Sequence, residues 1–250
     1  MANTATKRPT GYVLWEGASP FNGQPIVAIL TVRSVNSKTG DIPQVWILNR
    51  DLHPSEAVAT GWDDAQCGNC PHRGTLSYVD AQPVLTGRTC YVDIGKAPAA
   101  VWRTYQRGGY PLADGWHRTA MLAAISGRAI RWGAYGDPGM LPADVVRRLN
   151  REHNGGHRGY SHQWRHEWAQ WTAGVFMASC DTAQDVIDAA AGGWRTFQVV
   201  GLGQTGTVGK RCPATVTGSR AQCATCTQCD GRHGHIWVEA HGAGAALITG

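Results

Sequence analysis

The chain has 250 residues and a formal net charge of +5, with 23 Lys and Arg against 18 Asp and Glu. Hydrophobic residues make up 42% of the chain and charged residues 16%, which supports a packed core and excludes a largely disordered polypeptide. No apolar run approaches the ~20 residues that cross a bilayer, and the polar N-terminus lacks the apolar core of a signal peptide. We therefore expect a cytoplasmic protein that does not bind a membrane.

The N-terminal part of the chain predicts a tail followed by a hairpin. Residues 1–10 are polar and indicate a flexible tail. Residues 11–66 predict an N-terminal β-hairpin region, because two β-branched runs flank a polar turn that contains Gly40. The apolar runs of this region lie at 12–15, 26–32 and 45–48, and a short helix is expected at 55–60.

Residues 67–200 predict alternating strands and helices. Strands are expected at 89–94, 129–134, 174–179 and 194–200 with a short one near Tyr160, and helices at 98–107, 116–126, 142–150 and from Asp181 to Gly192. Such alternation forms right-handed βαβ units, so the pattern predicts an α/β fold with a parallel sheet. Four or five strands are too few for an eight-stranded barrel, so we expect a partial (βα) barrel or an open parallel sheet. Residues 201–250 add a cysteine-rich, metal-binding loop and a last strand at 236–239.

Polar side chains follow three of the predicted strands. Asp137, His162 and Asp181 each come directly after a strand, and chemistry in such folds gathers at the carboxyl ends of strands. We therefore predict that these three are catalytic residues lining a substrate pocket. An N-cap role is the alternative for Asp137 and Asp181. The neighbouring residues predicted to bind a cofactor are Tyr135, Gly136 and Gln163.

Three of the eight cysteines, Cys67, Cys70 and Cys90, form a set that is one thiol short of a closed tetrahedral site. Three interpretations stay open: zinc with His72 as the fourth ligand, a 4Fe–4S cluster completed by Cys180, or a 4Fe–4S cluster with one open iron. An open iron can bind the amino and carboxylate groups of S-adenosylmethionine, which electron transfer then cleaves to a radical. A metal ion with a purely structural role is the simpler interpretation of the same residues.

The second cysteine set is complete. Cys223, Cys226 and Cys229 are separated by two residues each, and Cys212 is followed at once by Pro213. This is the ligand arrangement of a ferredoxin-type 4Fe–4S cluster, with the distant ligand placed first. Four thiols also satisfy zinc by count, and the nearby His233 and His235 keep zinc as an alternative. The chain is thus expected to hold one or two 4Fe–4S clusters, or zinc.

Several stretches resemble a family of uncharacterised bacteriophage-borne proteins, over about residues 40–242. They are Cys67–Gly74, Arg88–Val92, Trp132–Pro138, Gly159–Trp164, Met177–Thr182, Gly193–Phe197 and the terminal cysteine set. More distantly, the arrangement is similar to radical S-adenosylmethionine enzymes, which have a partial (βα) barrel, a three-cysteine cluster near the first barrel strand and often an auxiliary C-terminal cluster. Their usual motif is Cys-x3-Cys-x2-Cys, whereas here Cys90 lies twenty residues after Cys70. The resemblance implies cluster ligands in both cysteine sets and a location in the host cytoplasm.

The basic and aromatic residues indicate which kind of partner the protein binds. Basic residues concentrate in one segment, at Arg147, Arg148, Arg151, His153, His157, Arg158 and Arg165, and tryptophan is frequent at 11. One interpretation is that the basic residues bind phosphate and the tryptophans stack on bases. The other is that the basic residues form a solvated helix face and the tryptophans pack in the core. We expect an iron–sulfur protein of phage type, a radical-S-adenosylmethionine-like enzyme acting on a nucleotide or nucleic acid. The alternative is a non-enzymatic nucleic-acid-binding protein with structural zinc or 4Fe–4S sites.

Overall fold

The computed structural model describes residues 8–249, so residues 1–7 of the predicted tail lie outside the described residues. Within this range the chain forms twelve strands and six α-helices. The strands are β1 (Gly11–Ala18), β2 (Pro25–Thr31), β3 (Gln44–Asn49), β4 (Thr75–Val79), β5 (Gln82–Thr86), β6 (Ile130–Tyr135), β7 (His157–Arg158), β8 (Tyr160–Ser161), β9 (Met177–Cys180), β10 (Thr196–Val200), β11 (Lys210–Arg211) and β12 (Ile236–Glu239). The helices are α1 (Pro54–Thr60), α2 (Asp64–Cys67), α3 (Ala97–Gln106), α4 (Gly115–Ile125), α5 (Ala143–Glu152) and α6 (Ala183–Ala191).

The first sheet has the strand order β1-β2-β3-β6-β7. Its β2–β3 pair is antiparallel, which confirms the predicted hairpin, and β1 adds a further antiparallel strand. On the other side, β3 pairs with β6 and β6 with β7 in parallel. The predicted N-terminal region and the predicted core therefore share one sheet, and β3 is its first parallel strand.

The second sheet has the order β11-β12-β10-β9-β8, and all of its strand pairs are parallel. Its strand β12 has the bounds that the sequence predicts. In the described range neither five-stranded sheet closes on itself, since each ends in two different outer strands. The protein thus has a mixed α/β fold with open, largely parallel sheets. This agrees with the predicted α/β class and with the open sheet that the sequence allowed.

Gly159 joins the two sheets, because β7 belongs to the first sheet and β8, one residue later, to the second. Its carbonyl accepts the N–H of Met177 at 3.0 Å, and its own N–H donates to the carbonyl of Cys229 at 3.1 Å. A Cβ at this position would lie 2.7 Å from the ring of Phe176. A glycine is therefore required where the chain passes from one sheet to the other.

The main core packs the inner face of the first sheet against α4 and α5. Its fully buried members include Ile26, Leu30, Ile47, Met121, Ile125, Ile130, Trp132, Val146 and Phe176. The opposite face of β2 and β3 packs against α3 through Val27, Ile29, Leu48 and Val101. Both faces of these strands are covered, which explains why β3 is buried over its whole length.

The predicted strand at 89–94 is wrong. Residues 89 and 90 instead turn toward the preceding loop, where the carbonyl of His72 accepts the N–H of Thr89 at 3.1 Å and that of Cys90 at 2.9 Å. The strands of this region are β4 and β5, which form an antiparallel hairpin. Asp80 and Ala81 make its turn with positive φ of 48° and 62°. A turn without glycine or asparagine is a weak sequence signal, so the pattern did not indicate this hairpin.

Candidate metal centres and the cavity beside them

Cys67, Cys70 and Cys90 come together after β3, the first parallel strand. Cys67 is the last residue of α2, and the N–H of Cys70 donates to its carbonyl at 3.3 Å. Burial and the nearby Asp63 raise the pKa of the Cys67 thiol, and Cys70 and Cys90 raise it further. Thiols raise the pKa of one another only at short range, so these three partly buried cysteines are close neighbours.

An ion-pair cluster ties the segments that carry these cysteines. The Asp63 carboxylate accepts hydrogen bonds from Arg73 Nη2 at 2.6 Å and Nε at 3.0 Å, and from Arg88 Nη1 at 3.4 Å. Arg73 also donates to the carbonyls of Gly61 at 2.7 Å and Gly68 at 3.1 Å. Burial raises the pKa of Asp63, and the hydrogen bond from Arg73 counteracts that effect. The cluster thus places two guanidinium groups beside the three thiols.

Buried polar atoms without a hydrogen-bond partner surround the first cysteine set. They are Arg88 Nη2, Tyr135 Oη and Gln163 Oε1, which belong to residues that adjoin the three cysteines. Each such atom costs about 1–3 kcal/mol, so a group of them at one place calls for an explanation. Free donors and acceptors on residues beside the thiols fit a bound group with polar atoms of its own. A single structural ion would leave most of them unpaired.

The residues predicted to bind a cofactor lie beside this set. Gln163 donates from Nε2 to the carbonyl of Cys67 at 3.0 Å. Burial, and then the neighbouring Cys67, raise the pKa of Tyr135, whose hydroxyl is unpartnered. Gly136 contributes backbone geometry: its φ is +79°, and a Cβ there would lie 2.3 Å from the carbonyl oxygen of Ile47. Tyr135 and Gln163 therefore present side chains at the site, and Gly136 allows β6 to approach β3.

Both side chains considered from the sequence as a fourth ligand have other partners. Cys180 is fully buried among Trp164, Val186 and Trp194, with Sγ 3.5 Å from the carbonyl of Ala178. The ring of His72 is engaged at Nδ1 by Thr89 at 2.7 Å and at Nε2 by Asp181 at 2.8 Å. The interpretations that complete the set with Cys180 or His72 are therefore not supported, and the set has three protein thiols.

The second cysteine set lies in the loop between β11 and β12. The N–H of Cys212 donates to the carbonyl of Trp237 at 2.8 Å, and Cys223 and Ala224 donate to the carbonyls of Lys38 and Thr39 at 3.4 and 2.9 Å. Burial raises the pKa of the Cys229 thiol, as do the other three cysteines, Cys212, Cys223 and Cys226. All four thiols are therefore neighbours, and the loop is held against the turn that follows β2.

The spacing of the thiols bears on the kind of metal. Zn–S bonds of about 2.3 Å at tetrahedral angles hold the sulfurs about 3.8 Å apart. Among the described residues, the one group of three or more His, Cys, Asp or Glu whose ligand atoms all lie within 4.8 Å of one another is His72, His162 and Asp181. In every set of three thiols among the described residues, at least one sulfur–sulfur distance therefore exceeds 4.8 Å. In a 4Fe–4S cube each thiolate binds a different iron, so the thiolates of a cluster lie farther apart than those of a zinc site.

A cavity of about 600 Å³ lies between the two cysteine sets. Its lining includes the four cysteines of the second set together with His72, Thr89 and His162, which adjoin the first set. Arg131 and Arg158 also line it, and Arg131 donates to the hydroxyl of Tyr91 at 2.6 Å. The rings of Tyr160 and Phe197 stack at 4.3 Å between centroids along the same wall. The cavity thus offers positive charge and flat aromatic surface.

Of the three residues predicted to be catalytic, His162 and Asp181 are in contact and Asp137 is set apart. Asp181 Oδ2 lies 3.3 Å from His162 Nε2. Burial opposes ionisation of Asp181, but the imidazoles of His162 and His72 beside its carboxylate hold its pKa below the usual range. The N-cap of α6 is Thr182, which forms a capping box with Asp185, so the alternative N-cap role for Asp181 is wrong.

Asp137 has a structural position. It caps the 3₁₀ turn Pro138–Met140 by accepting the N–H of Gly139 at 2.8 Å, as its alternative N-cap role predicts. Its other oxygen accepts the N–H of His162 at 2.7 Å. Asp137 is 6% exposed and is not among the residues that line the cavity. It therefore positions His162 without facing the cavity.

Sequence patterns did not indicate the partners of the thiols, namely Asp63, Gln66, Arg73, Arg88 and Arg131. Arg88 could have been found, because it stands two residues before Cys90. Asp63 and Arg131 meet their partners only through the fold: Asp63 is 25 residues from Arg88, and Arg131 is 40 from Tyr91. Contacts of this kind carry no local pattern.

Comparison with protein-family models, curated proteins and solved structures found no match to this chain. Among the described residues, the longest helices are too short and too polar to span a bilayer. The function is therefore argued from the chemistry of the site, since a fold alone does not define an activity.

Proposed function

We propose that the protein is an iron–sulfur enzyme of the radical-S-adenosylmethionine type that acts on a nucleotide or nucleic acid. In this proposal Cys67, Cys70 and Cys90 hold a 4Fe–4S cluster with one iron left open for S-adenosylmethionine. The single observation that carries the proposal is the group of unpartnered buried polar atoms around those three thiols. A set of three thiols lacks the fourth ligand that a closed structural site has, and an open position is what a reactive site needs.

The arrangement of strands supports a partial (βα) barrel. In order of pairing, the parallel strands are β3, β6, β7, then β8, β9, β10, β12 and β11, with Gly159 linking the two sheets. Cys67 and Cys70 follow the carboxyl end of β3, and Asp181 follows that of β9. A reactive site at the carboxyl ends of parallel strands is the usual position in barrels and open α/β sheets.

The residues around the first set have definite tasks in this proposal. Arg88, Tyr135 and Gln163 would pair their free polar atoms with the cluster and the cofactor, and Asp63 would keep Arg73 and Arg88 in position. S-adenosylmethionine, when bound to a reduced cluster, supplies radical chemistry. The apolar and aromatic wall of the cavity would keep water from the reacting atoms.

The cavity supports an anionic, aromatic substrate. Arg131 and Arg158 are suited to phosphate oxygens, because guanidinium groups bind phosphate through paired hydrogen bonds. The stacked rings of Tyr160 and Phe197 offer a flat surface to a nucleobase.

The second cysteine set, a complete ligand group on the cavity wall, would hold an auxiliary 4Fe–4S cluster that relays electrons or stabilises the fold.

A second candidate function is a non-enzymatic nucleic-acid-binding protein whose metal sites, zinc or 4Fe–4S, are structural. Its support is the exposed row Arg147, Arg148 and Arg151 on α5, outside the cavity. Binding through such a row would weaken steeply with added salt, since phosphate contacts release counterions. It would also survive substitution of Arg131 inside the cavity.

The test is release of 5′-deoxyadenosine from S-adenosylmethionine by the anaerobically reconstituted, reduced protein. The proposal predicts release by the wild type and at most background release by Cys90→Ala. The matched control is Cys180→Ala, a cysteine in the core, which should release as much as the wild type. No release from wild-type protein that carries both clusters would overturn the enzymatic proposal and leave the nucleic-acid-binding function.

A further inference from the structure

His72, His162 and Asp181 form a compact group at the edge of the cavity. The two imidazole Nε2 atoms approach opposite oxygens of the same carboxylate, His72 at 2.8 Å from Oδ1 and His162 at 3.3 Å from Oδ2. Their side chains are only 16–23% exposed. His162 Nε2 is buried and makes no hydrogen bond of acceptable geometry despite this proximity. The group therefore contains a buried imidazole nitrogen that lies beside the carboxylate and has no hydrogen-bond partner.

We propose that His72, His162 and Asp181 bind a divalent transition-metal ion at a site next to the first cysteine set, whose Cys70 adjoins His162. Two imidazoles and one carboxylate are a recurring ligand set for such ions, with further coordination positions left open. Metal–ligand bonds of about 2.0–2.2 Å place neighbouring ligand atoms roughly 3 Å apart. The distances of 2.8 and 3.3 Å from the two Nε2 atoms to the carboxylate oxygens match that spacing. All three ligand atoms lie within 4.8 Å of one another.

The chemistry of the ligands selects the cation. Imidazole nitrogen is a poor ligand for Mg²⁺ and Ca²⁺, which prefer oxygen, and suits Fe²⁺, Zn²⁺ and related ions. The carboxylate neutralises part of the charge of the ion. His72 and His162 line the cavity, so the open coordination positions would face it. An oxygen of water or of an anionic ligand in the cavity could then complete the coordination.

Neighbouring groups hold the ligands in position, as is typical of metal sites. His72 Nδ1 lies 2.7 Å from Thr89 Oγ1, and donation from that nitrogen leaves the Nε2 lone pair free for the ion. The backbone N–H of His162 is held by Asp137, and that of Asp181 by the carboxylate of Asp185 at 3.1 Å. The buried Asp137 thereby gains a function as a positioning residue.

The site does not depend on iron–sulfur chemistry, because its ligands are nitrogen and oxygen. The probe is Mn²⁺, a hard ion that competes poorly for thiolates and whose free form gives a strong electron paramagnetic resonance signal. Anaerobically reconstituted, chelator-washed protein is titrated with Mn²⁺. The wild type should take up one Mn²⁺ per chain.

Substitutions assign that ion to the site. Asp181→Asn and His72→Gln should abolish uptake, and Thr89→Val should weaken it about 10- to 100-fold, as loss of an outer partner does. The matched control is His241→Gln, since His241 lines the same cavity away from the three ligands. Unchanged iron content would show that each variant is folded. No Mn²⁺ uptake by the wild type, or equal uptake by Asp181→Asn, would overturn the proposal. Failure of the iron–sulfur proposal would instead appear as missing iron with Mn²⁺ uptake retained.

Discussion

The carboxylate of Asp63 binds the guanidinium of Arg73 through two hydrogen bonds, at 2.6 and 3.0 Å. Asp63 precedes the first cysteine pair and Arg73 follows it, so this contact closes the loop that carries Cys67 and Cys70. Only 3% of the Asp63 side chain is exposed. The geometry of the first cysteine set therefore depends on a buried charge pair.

Replacing Asp63 tests that dependence. Asp63→Asn leaves Arg73 and Arg88 partly buried without their countercharge, so we expect the free energy of unfolding to fall by about 3–5 kcal/mol. Denaturant unfolding of chelator-treated protein measures the effect without a contribution from bound metal. The control is Asp51→Asn, which breaks an exposed pair with Arg50 and should cost less than about 1 kcal/mol. Equal losses in the two variants would show that the buried pair has no special role.

Tyr135→Phe separates a ligand-binding role from a packing role. The Tyr135 hydroxyl is buried and unpartnered, so its removal from metal-free protein should leave stability unchanged or raise it by about 1 kcal/mol. In iron-loaded protein the same change should speed the loss of iron to a chelator. Tyr105→Phe is the control, because its hydroxyl donates to Glu16 at 2.8 Å outside the site. A Tyr135→Phe protein that is destabilised without metal and retains iron normally would refute the ligand-binding role.

His153 makes stability depend on pH. Burial, together with the neighbouring His157, lowers the pKa of His153 from 6.5 to about 4. The unfolded chain therefore binds the proton more readily, and stability falls as the pH drops from 6.5 toward about 4, by up to about 3 kcal/mol. Below that range the loss is constant. Thermal unfolding at a series of pH values should show this slope in the wild type and a shallower one in His153→Asn. Parallel curves would count against the assignment.

Gly159→Ala tests the link between the two sheets. Its new Cβ would lie 2.7 and 2.9 Å from the Phe176 ring and 3.3 Å from Trp132, so we expect a loss of about 1–3 kcal/mol. Because Gly159 also binds the Cys229 carbonyl, iron bound by the second set should be lost more readily. Gly234→Ala, which meets no atom within 4 Å, should behave as the wild type in both assays. Wild-type stability in Gly159→Ala would mean that the strand link tolerates a side chain.

Much of the fold follows from local sequence patterns. The helices α3, α4 and α5 and the strands β6, β10 and β12 lie within a few residues of their predicted bounds, because each has a long apolar periodicity or a clear stop signal. The hairpin β4–β5 and the non-strand character of residues 89–94 were not predicted. There the backbone hydrogen bonds of Thr89 and Cys90 go to His72, a long-range choice that no periodicity reveals.

The grouping of the thiols also follows from spacing, whereas their surroundings do not. The structure brings together the same three and the same four cysteines that the sequence groups. It also separates Asp137 from the cavity and joins His72 to Asp181, which lie 109 residues apart. Whether a polar residue at a strand end faces a cavity or caps a turn is decided by neighbours from distant segments. Sequence alone could therefore name Asp137, His162 and Asp181 but could not assign their roles.

The most direct test of the central claim is a count of iron, sulfide and zinc in anaerobically prepared protein. Two 4Fe–4S clusters predict about eight irons per chain in the wild type and about four in Cys90→Ala. Cys180→Ala should retain about eight, because its thiol lies in the core. Zinc alone in the wild type, or an equal iron content in Cys90→Ala and Cys180→Ala, would contradict the proposed reactive cluster.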